Sequence, residues 1–168
     1  HEPDVLLMDE PFSNLDLGTK SGLLSEIKHM AEETETAILL VTHDTRDAME
    51  VGDTISVLHD GHLIRSGTPF EVYNDPQLEI VANLFGPFNV IPHKSYKALG
   101  IDSNAKKVGV WPEMIEFTEE GKKASVTQTT FMGHYWKNRI TVDKNSYLCF
   151  SSDKPNSSSI RIVGWFDL

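Results

Sequence analysis

Asp9 and Glu10 are two carboxylates placed directly after the apolar run Val5-Leu6-Leu7-Met8. In open parallel sheets, ligands bind beyond the carboxyl ends of the strands, so these side chains emerge where a ligand would sit. An aspartate there can hold Mg²⁺, usually through water, because that ion prefers oxygen ligands and keeps part of its hydration shell. The adjacent glutamate faces another direction and can orient or deprotonate a water that attacks a phosphoryl group. The same pair also serves as an ordinary solvated strand end. His43 stands just after a second apolar run, Ala37-Ile38-Leu39-Leu40-Val41. If the two runs are neighbouring parallel strands, His43 and Glu10 share one sheet edge, where an imidazole can donate to a terminal phosphate. Taken singly, His43 reads as a loop or capping residue. Asp16 is placed to cap a helix from Leu17, and Asp44 a helix beginning near Thr45. Asp16 could also make contacts across a nucleotide-bound dimer.

The elements needed to position these groups are legible in the first half. Asp4–Asp9 is a short apolar run between Pro3 and Pro11, the pattern of a strand buried on both faces. Leu23, Leu24, Ile27, Met30 and Ala31 fall on one face of a helix over 17–33. The run 37–41 reads as a second buried strand, followed by a short helix over 46–50. Thr54–Leu58 and His62–Ser66 flank Asp60-Gly61 as the arms of a hairpin flank its turn. Thr68-Pro69 opens another short helix, and Leu78–Leu84 is helical by pattern. Strand, helix and strand with buried strands predict an α/β arrangement with a parallel sheet covered on both faces. The second half reads as β. Val108–Trp111, Ser125–Phe131, Asn138–Val142, Tyr147–Phe150 and Ile160–Val163 are β-branched or aromatic runs separated by turn residues, which suggests a small barrel or sandwich.

Charge divides along the same line. Residues 1–85 carry 4 Lys and Arg against 17 Asp and Glu, and 86–168 carry 11 against 8, giving net charges of −13 and +3. All three tryptophans lie in the second part, and Gly86-Pro87 marks a turn at the seam, so two domains are expected, 1–85 and 86–168. The overall net charge of −10, with no basic tract, argues against nucleic acid or an anionic membrane as a partner. Cys149 is the one cysteine, so no disulfide partner and no cysteine-based zinc site is expected, and the cytoplasm is the simpler compartment. No apolar run approaches the roughly 20 residues of a membrane span. The chain opens at His1 and enters a strand-like run almost at once, which reads as a fragment.

Val5-Leu6-Leu7-Met8-Asp9-Glu10-Pro11-Phe12-Ser13-Asn14-Leu15-Asp16 resembles the Walker B segment and D-loop of ATP-binding-cassette (ABC) transporter ATPases. Val41-Thr42-His43-Asp44 resembles their switch histidine, and 60–69 resembles the hairpin and Gly-Thr-Pro that follow it. In the second half, Val108–Ile115 and Phe131–Tyr135 resemble the OB-like transport-associated (TOBE) domain of importer ATPases. The resemblance covers nearly the whole chain. It implies the C-terminal part of a RecA-like P-loop nucleotide-binding domain followed by a small all-β OB-like regulatory domain. It further implies that Asp9 assists Mg²⁺ binding through water, Glu10 is the catalytic base or water-orienting residue, Asp16 is the D-loop residue and His43 senses the γ-phosphate of ATP. The complete protein would hydrolyse ATP as a homodimer on two membrane subunits, peripheral on the inner face of the cell membrane, and so drive uptake of a solute. Sugars, polyamines, ferric iron and oxyanions all remain open as that solute.

Departures from the family pattern set further expectations. No G-x-x-x-x-G-K-[ST] occurs in the chain, nor the family's glutamine loop or Leu-Ser-Gly-Gly signature. The 168 residues by themselves are therefore expected to lack significant ATPase activity, and to self-associate through uncovered apolar faces. The helix over 17–33 lacks the arginine pairs often found there, and Arg46-Asp47 replaces the more usual Gln-Glu. A competing reading is a regulatory module whose β domain binds a solute or partner, with Trp111, Trp136 and Trp165 either lining a pocket or forming plain core. An ABC ATPase acting on DNA is discouraged by the acidic first part.

Overall fold

A computed structural model describes residues 3–13 and 15–168, and the chain forms two compact units that meet in sequence between Val72 and Tyr73. The first unit contains β1 (Val5–Asp9), α1 (Leu17–Thr34), β2 (Ala37–Val41), α2 (Thr45–Val51), β3 (Ile55–His59) and β4 (His62–Gly67). β1 and β2 pair in parallel, from Val5 opposite Ala37 to Asp9 opposite Val41. A parallel pair needs a crossover connection, and α1 supplies it. The register brings the carboxyl ends of both strands to one edge, as the strand-helix-strand pattern requires.

Burial of these strands departs from expectation. Both alternate between exposed and half-buried residues instead of being buried throughout, and Leu7 and Leu39 are 71% and 59% exposed. Among the described residues the two strands form a two-stranded sheet, so only one face is covered. The apolar runs are those of a doubly covered sheet, and one of their faces meets solvent.

β3 and β4 form the expected antiparallel hairpin. Asp60 (φ 48°) and Gly61 (φ 76°) both take the left-handed conformation, which matches the twist of a two-residue hairpin turn. At α3 (Pro69–Asn74), Thr68 N–H donates to the Glu71 carboxylate at 2.9 Å, and Glu71 N–H donates to the Thr68 hydroxyl at 3.3 Å. This is a reciprocal capping box, and it holds the Glu71 carboxyl below its ordinary range, first through the Thr68 backbone and then through its hydroxyl.

The second unit is a β module. After α4 (Glu79–Phe85) come β5 (Asn89–Pro92), the short helix α5 (Tyr96–Leu99), β6 (Lys107–Val110), β7 (Ile115–Thr118), β8 (Lys122–Lys123), β9 (Ser125–Phe131), β10 (Trp136–Val142), β11 (Asn145–Ser151), β12 (Ser159–Ile162) and β13 (Phe166–Asp167). The strands are ordered β11-β10-β9, β7-β12-β8 and β13-β6-β5, all antiparallel. Their inner residues, among them Ile91, Val108, Val110, Ile115, Ile140, Cys149 and Ile160, form one continuous core. Trp111, Ala82 and Phe166 form a second cluster against Tyr73, Phe85 and Phe88. Phe166 lies so close to Gly109 that a Cβ there would come within 2.1 Å of its ring, so β6 needs glycine at that position. Among the described residues no helix is long and apolar enough to cross a membrane.

Candidate functional site

Glu10 follows the last residue of β1, and its backbone turns into the left-handed region at φ 46° while its N–H still donates to Val41 O at 2.9 Å. A non-glycine residue in that conformation carries local strain, of the kind found where a side chain must be aimed. Ser13 N–H and its hydroxyl both return to Glu10 O, and Phe12 is buried, so the turn behind Glu10 is anchored.

The Glu10 side chain meets His43. Glu10 Oε1 and His43 Nδ1 are 2.7 Å apart, across 33 positions of sequence. An ionised carboxylate can only accept, so Nδ1 carries the proton, and the exposed Nε2 edge is left for another group. The residues that β1 and β2 were expected to bring to one edge are thus in contact.

The loop bearing His43 is tied down on both sides. Asp44 N–H donates to the Thr42 hydroxyl at 3.0 Å, and the Asp44 carboxylate caps α2 by accepting from Arg46 N–H at 3.0 Å. Lys20 Nζ, nearly buried in the first turn of α1, pairs with Asp44 Oδ2 at 2.9 Å and Asp47 Oδ1 at 2.7 Å. Arg46 and then Lys20 hold the Asp44 carboxyl far below the ordinary carboxylate range. The hydrogen bonds that Lys20 donates to Asp44 and Asp47 raise its ammonium in return. Glu10, Phe12, His43, Lys20, Asp44 and Arg46 surround a shallow cleft of about 170 Å³.

Asp16 and Asp9 stand apart from that cleft. Asp16 accepts from Gly18 N–H and Thr19 N–H, both at 3.1 Å, and from the Thr19 hydroxyl at 2.8 Å, which makes it the cap of α1. The Thr19 hydroxyl, followed by its backbone, keeps this carboxyl below its ordinary range. Asn14, within the D-loop-like segment, lies outside the described residues. Asp9 ends β1 as an exposed carboxylate. Among the described residues no three His, Cys, Asp or Glu side chains converge to hold a metal ion. One exposed carboxylate at a strand end fits Mg²⁺ held chiefly by water and phosphate oxygens, and does not make a cage built from protein.

Lys20 and Asp47 were missed in the sequence. The available signal was a lone cation four residues beyond the Asp16 cap, facing two acids at the i, i+3 spacing of one helical face. In the β module the three tryptophans are not gathered. Trp111 is 1% exposed and packs with Phe166, Trp136 lies against Phe131, and Trp165 packs against the main core. Burial pushes the Cys149 thiol up to about 12, so it behaves as a small core residue.

No protein-family model matches the chain. Curated proteins do. The sulfate/thiosulfate import ATP-binding protein CysA of Synechococcus elongatus is 38% identical over 117 residues, which is 68% of this chain and 34% of that protein. The spermidine/putrescine import ATP-binding protein PotA of Spiroplasma citri is 27% identical over 98% of this chain and 53% of its own length. The Fe(3+) ions import ATP-binding protein FbpC of Rhizobium etli is 38% identical over 65% of this chain and 31% of its own. The chain therefore spans between about a third and a half of the length of these relatives. With its motifs in the family's order and these relatives along most of its length, the chain belongs to the importer-type ABC ATPases and matches their C-terminal part.

Proposed function

We infer that the chain supplies the hydrolytic edge and the regulatory module of the ATP-hydrolysing subunit of an ABC-type importer. Residues 1–85 would be the C-terminal part of the nucleotide-binding domain, and 86–168 the OB-like transport-associated domain. The observation that carries this reading is the 2.7 Å contact between Glu10 and His43, made across β1 and β2 at their shared carboxyl edge. In that reading Glu10 orients the attacking water and draws its proton, and His43 presents its Nε2 edge to the γ-phosphate of ATP. Asp9 would hold Mg²⁺ through water, and the ion, when bound, neutralises charge developing on the phosphate oxygens. Asp16, at the start of α1, would face a second copy of the subunit, and the membrane subunits would receive the work of hydrolysis. The subunit would sit in the cytoplasm against the inner face of the membrane. The three relatives carry different solutes in their names, so no particular solute follows for this chain.

The 168 residues contain no G-x-x-x-x-G-K-[ST], so the backbone cradle and lysine that bind phosphates are not supplied by this segment. Hydrolysis by the segment on its own is expected to equal that of its Glu10→Gln form. The test begins with the gene upstream of His1. If a Walker A motif and a Leu-Ser-Gly-Gly signature lie there, Glu10→Gln in the longer chain should slow Mg-ATP turnover by about a hundredfold or more while ATP still binds. An undiminished rate overturns the role of Glu10, and turnover by the 168 residues above the Glu10→Gln control overturns their inactivity. If both motifs are missing, the β module as a solute- or partner-binding unit becomes the better reading.

A further inference from the structure

The β module contains a second cleft, of about 390 Å³, lined by Tyr73, Phe85, Trp111, Glu113, Tyr135 and Phe150 among others. That volume lies within the roughly 300–1,000 Å³ of small-molecule sites. Aromatic rings dominate its wall. Tyr73 stacks on Trp111 with centroids 4.6 Å apart and planes 9° from parallel, and Phe85 meets Tyr73 edge-on at 5.7 Å. Tyr135 lies 4.7 Å from Phe150. Trp111 is locked in place, since its indole N–H donates to Tyr73 O at 3.2 Å.

One carboxylate stands among these rings. The exposed Glu113 accepts a hydrogen bond from the Tyr73 hydroxyl. Burial first, and Glu113 second, push the Tyr73 phenol well above its ordinary range, so it remains a neutral donor. The partner of Glu113 is therefore a phenol that leaves the carboxylate's charge uncompensated. Ring faces are the negative side of the aromatic quadrupole, and a carboxylate beside them adds to the same sign of potential. Such a wall repels anions. It favours a weakly hydrated cation whose apolar surface can lie on the rings. Tyr73, Tyr135 and Phe150 are only half-buried, so ring surface remains accessible.

We propose that this cleft binds an organic ammonium ion, with Glu113 as its counter-ion and the Tyr73, Tyr135 and Phe150 rings as its walls. The inference does not rest on the ATPase reading, because every residue it uses lies in the Tyr73–Leu168 unit and none belongs to the Glu10–His43 edge.

Choline and its neutral twin 3,3-dimethyl-1-butanol separate charge from shape. Both are titrated at constant ionic strength into the 168-residue chain, following the three tryptophan indole N–H resonances in ¹H–¹⁵N spectra. The expected result is a saturable shift of the Trp111 resonance with choline, and binding at least about fivefold weaker for the neutral twin. Glu113→Gln keeps an oxygen to accept from Tyr73 and removes the charge, so it should weaken choline by about fivefold or more with an unchanged circular dichroism spectrum. Tyr135→Leu, which keeps an apolar wall without a quadrupole, should weaken choline and leave the alcohol nearly unaffected. Equal binding of the two ligands, an unaltered affinity in Glu113→Gln, or no saturation of the Trp111 shift overturns the proposal. The comparison of ligands on the unsubstituted chain needs no variant to fold.

Discussion

Lys20 ties the first turn of α1 to the acidic face of α2, and with it the loop that carries His43. Its ammonium contacts Asp44 and Asp47 at once, and Asp47 is buried. Asp44, with its carboxyl lowered on folding, contributes stability that is present above its ordinary value near pH 4 and is lost as pH falls through the lowered folded value. Lys20 is raised on folding, so its contribution is present below its ordinary value near pH 10 and is lost as pH rises through the raised one. Urea midpoints followed by circular dichroism at 222 nm should therefore form a plateau from about pH 4 to about pH 10 and fall on either side. Lys20→Met should lower the plateau, because Asp47 is left buried without its cation, and flatten the acid limb. An acid limb identical to that of the unsubstituted chain would show that the pairing adds nothing. The candidate site was partly legible at this scale. Asp9, Glu10 and His43 stand beside apolar runs whose pairing follows from period and order, whereas the sequence separates Lys20 from Asp44 and Asp47 by a strand and offers only their spacing as a sign of the pairing.

At the scale of elements, local pattern was readable where an element carries its own signal. The hairpin β3–β4 has Asp60-Gly61 at its turn, α1 has its apolar stripe and Asp16 cap, and β9 spans Ser125–Phe131 as its β-branched run predicts. β5 and β13 gave no such signal. β13 is two residues long, and β5 ends in proline and carries a polar residue at an inward position. That residue, Asn89, is buried for a reason found only in the tertiary structure. Its amide donates to Val110 O at 3.2 Å and Leu148 O at 2.8 Å, and its oxygen accepts from Leu148 N–H at 2.6 Å. One side chain thus bridges backbone groups of β6 and β11, strands of different sheets. Asn89→Leu nearly conserves volume but orphans these groups, so it should cost about 2–4 kcal/mol in denaturant unfolding. A loss within about 0.5 kcal/mol would mean that water replaces the amide there.

For the whole molecule, the uncovered apolar surface that bears most on assembly is the open face of the β1–β2 sheet. The β module encloses a continuous core, whereas the strands of the first unit leave Val5, Leu7, Leu39 and Val41 exposed, with Leu7 and Leu39 directly opposite each other in the register. An apolar sheet face of this kind favours association. Opposing it is the net charge of −13 on residues 1–85, which repels a second copy over a distance set by salt. The screening length falls from about 30 Å at 0.01 M to about 8 Å at 0.15 M ionic strength, so repulsion weakens steeply over that range while apolar contact does not. Sedimentation velocity should therefore show self-association that grows with protein concentration and with salt. The double substitution Leu7→Lys and Leu39→Lys places charge at the centre of the face and should return the chain to a monomer with its helix content intact. A monomer at every salt concentration, or association that persists in the double variant, would mean that this face does not drive assembly of the isolated chain.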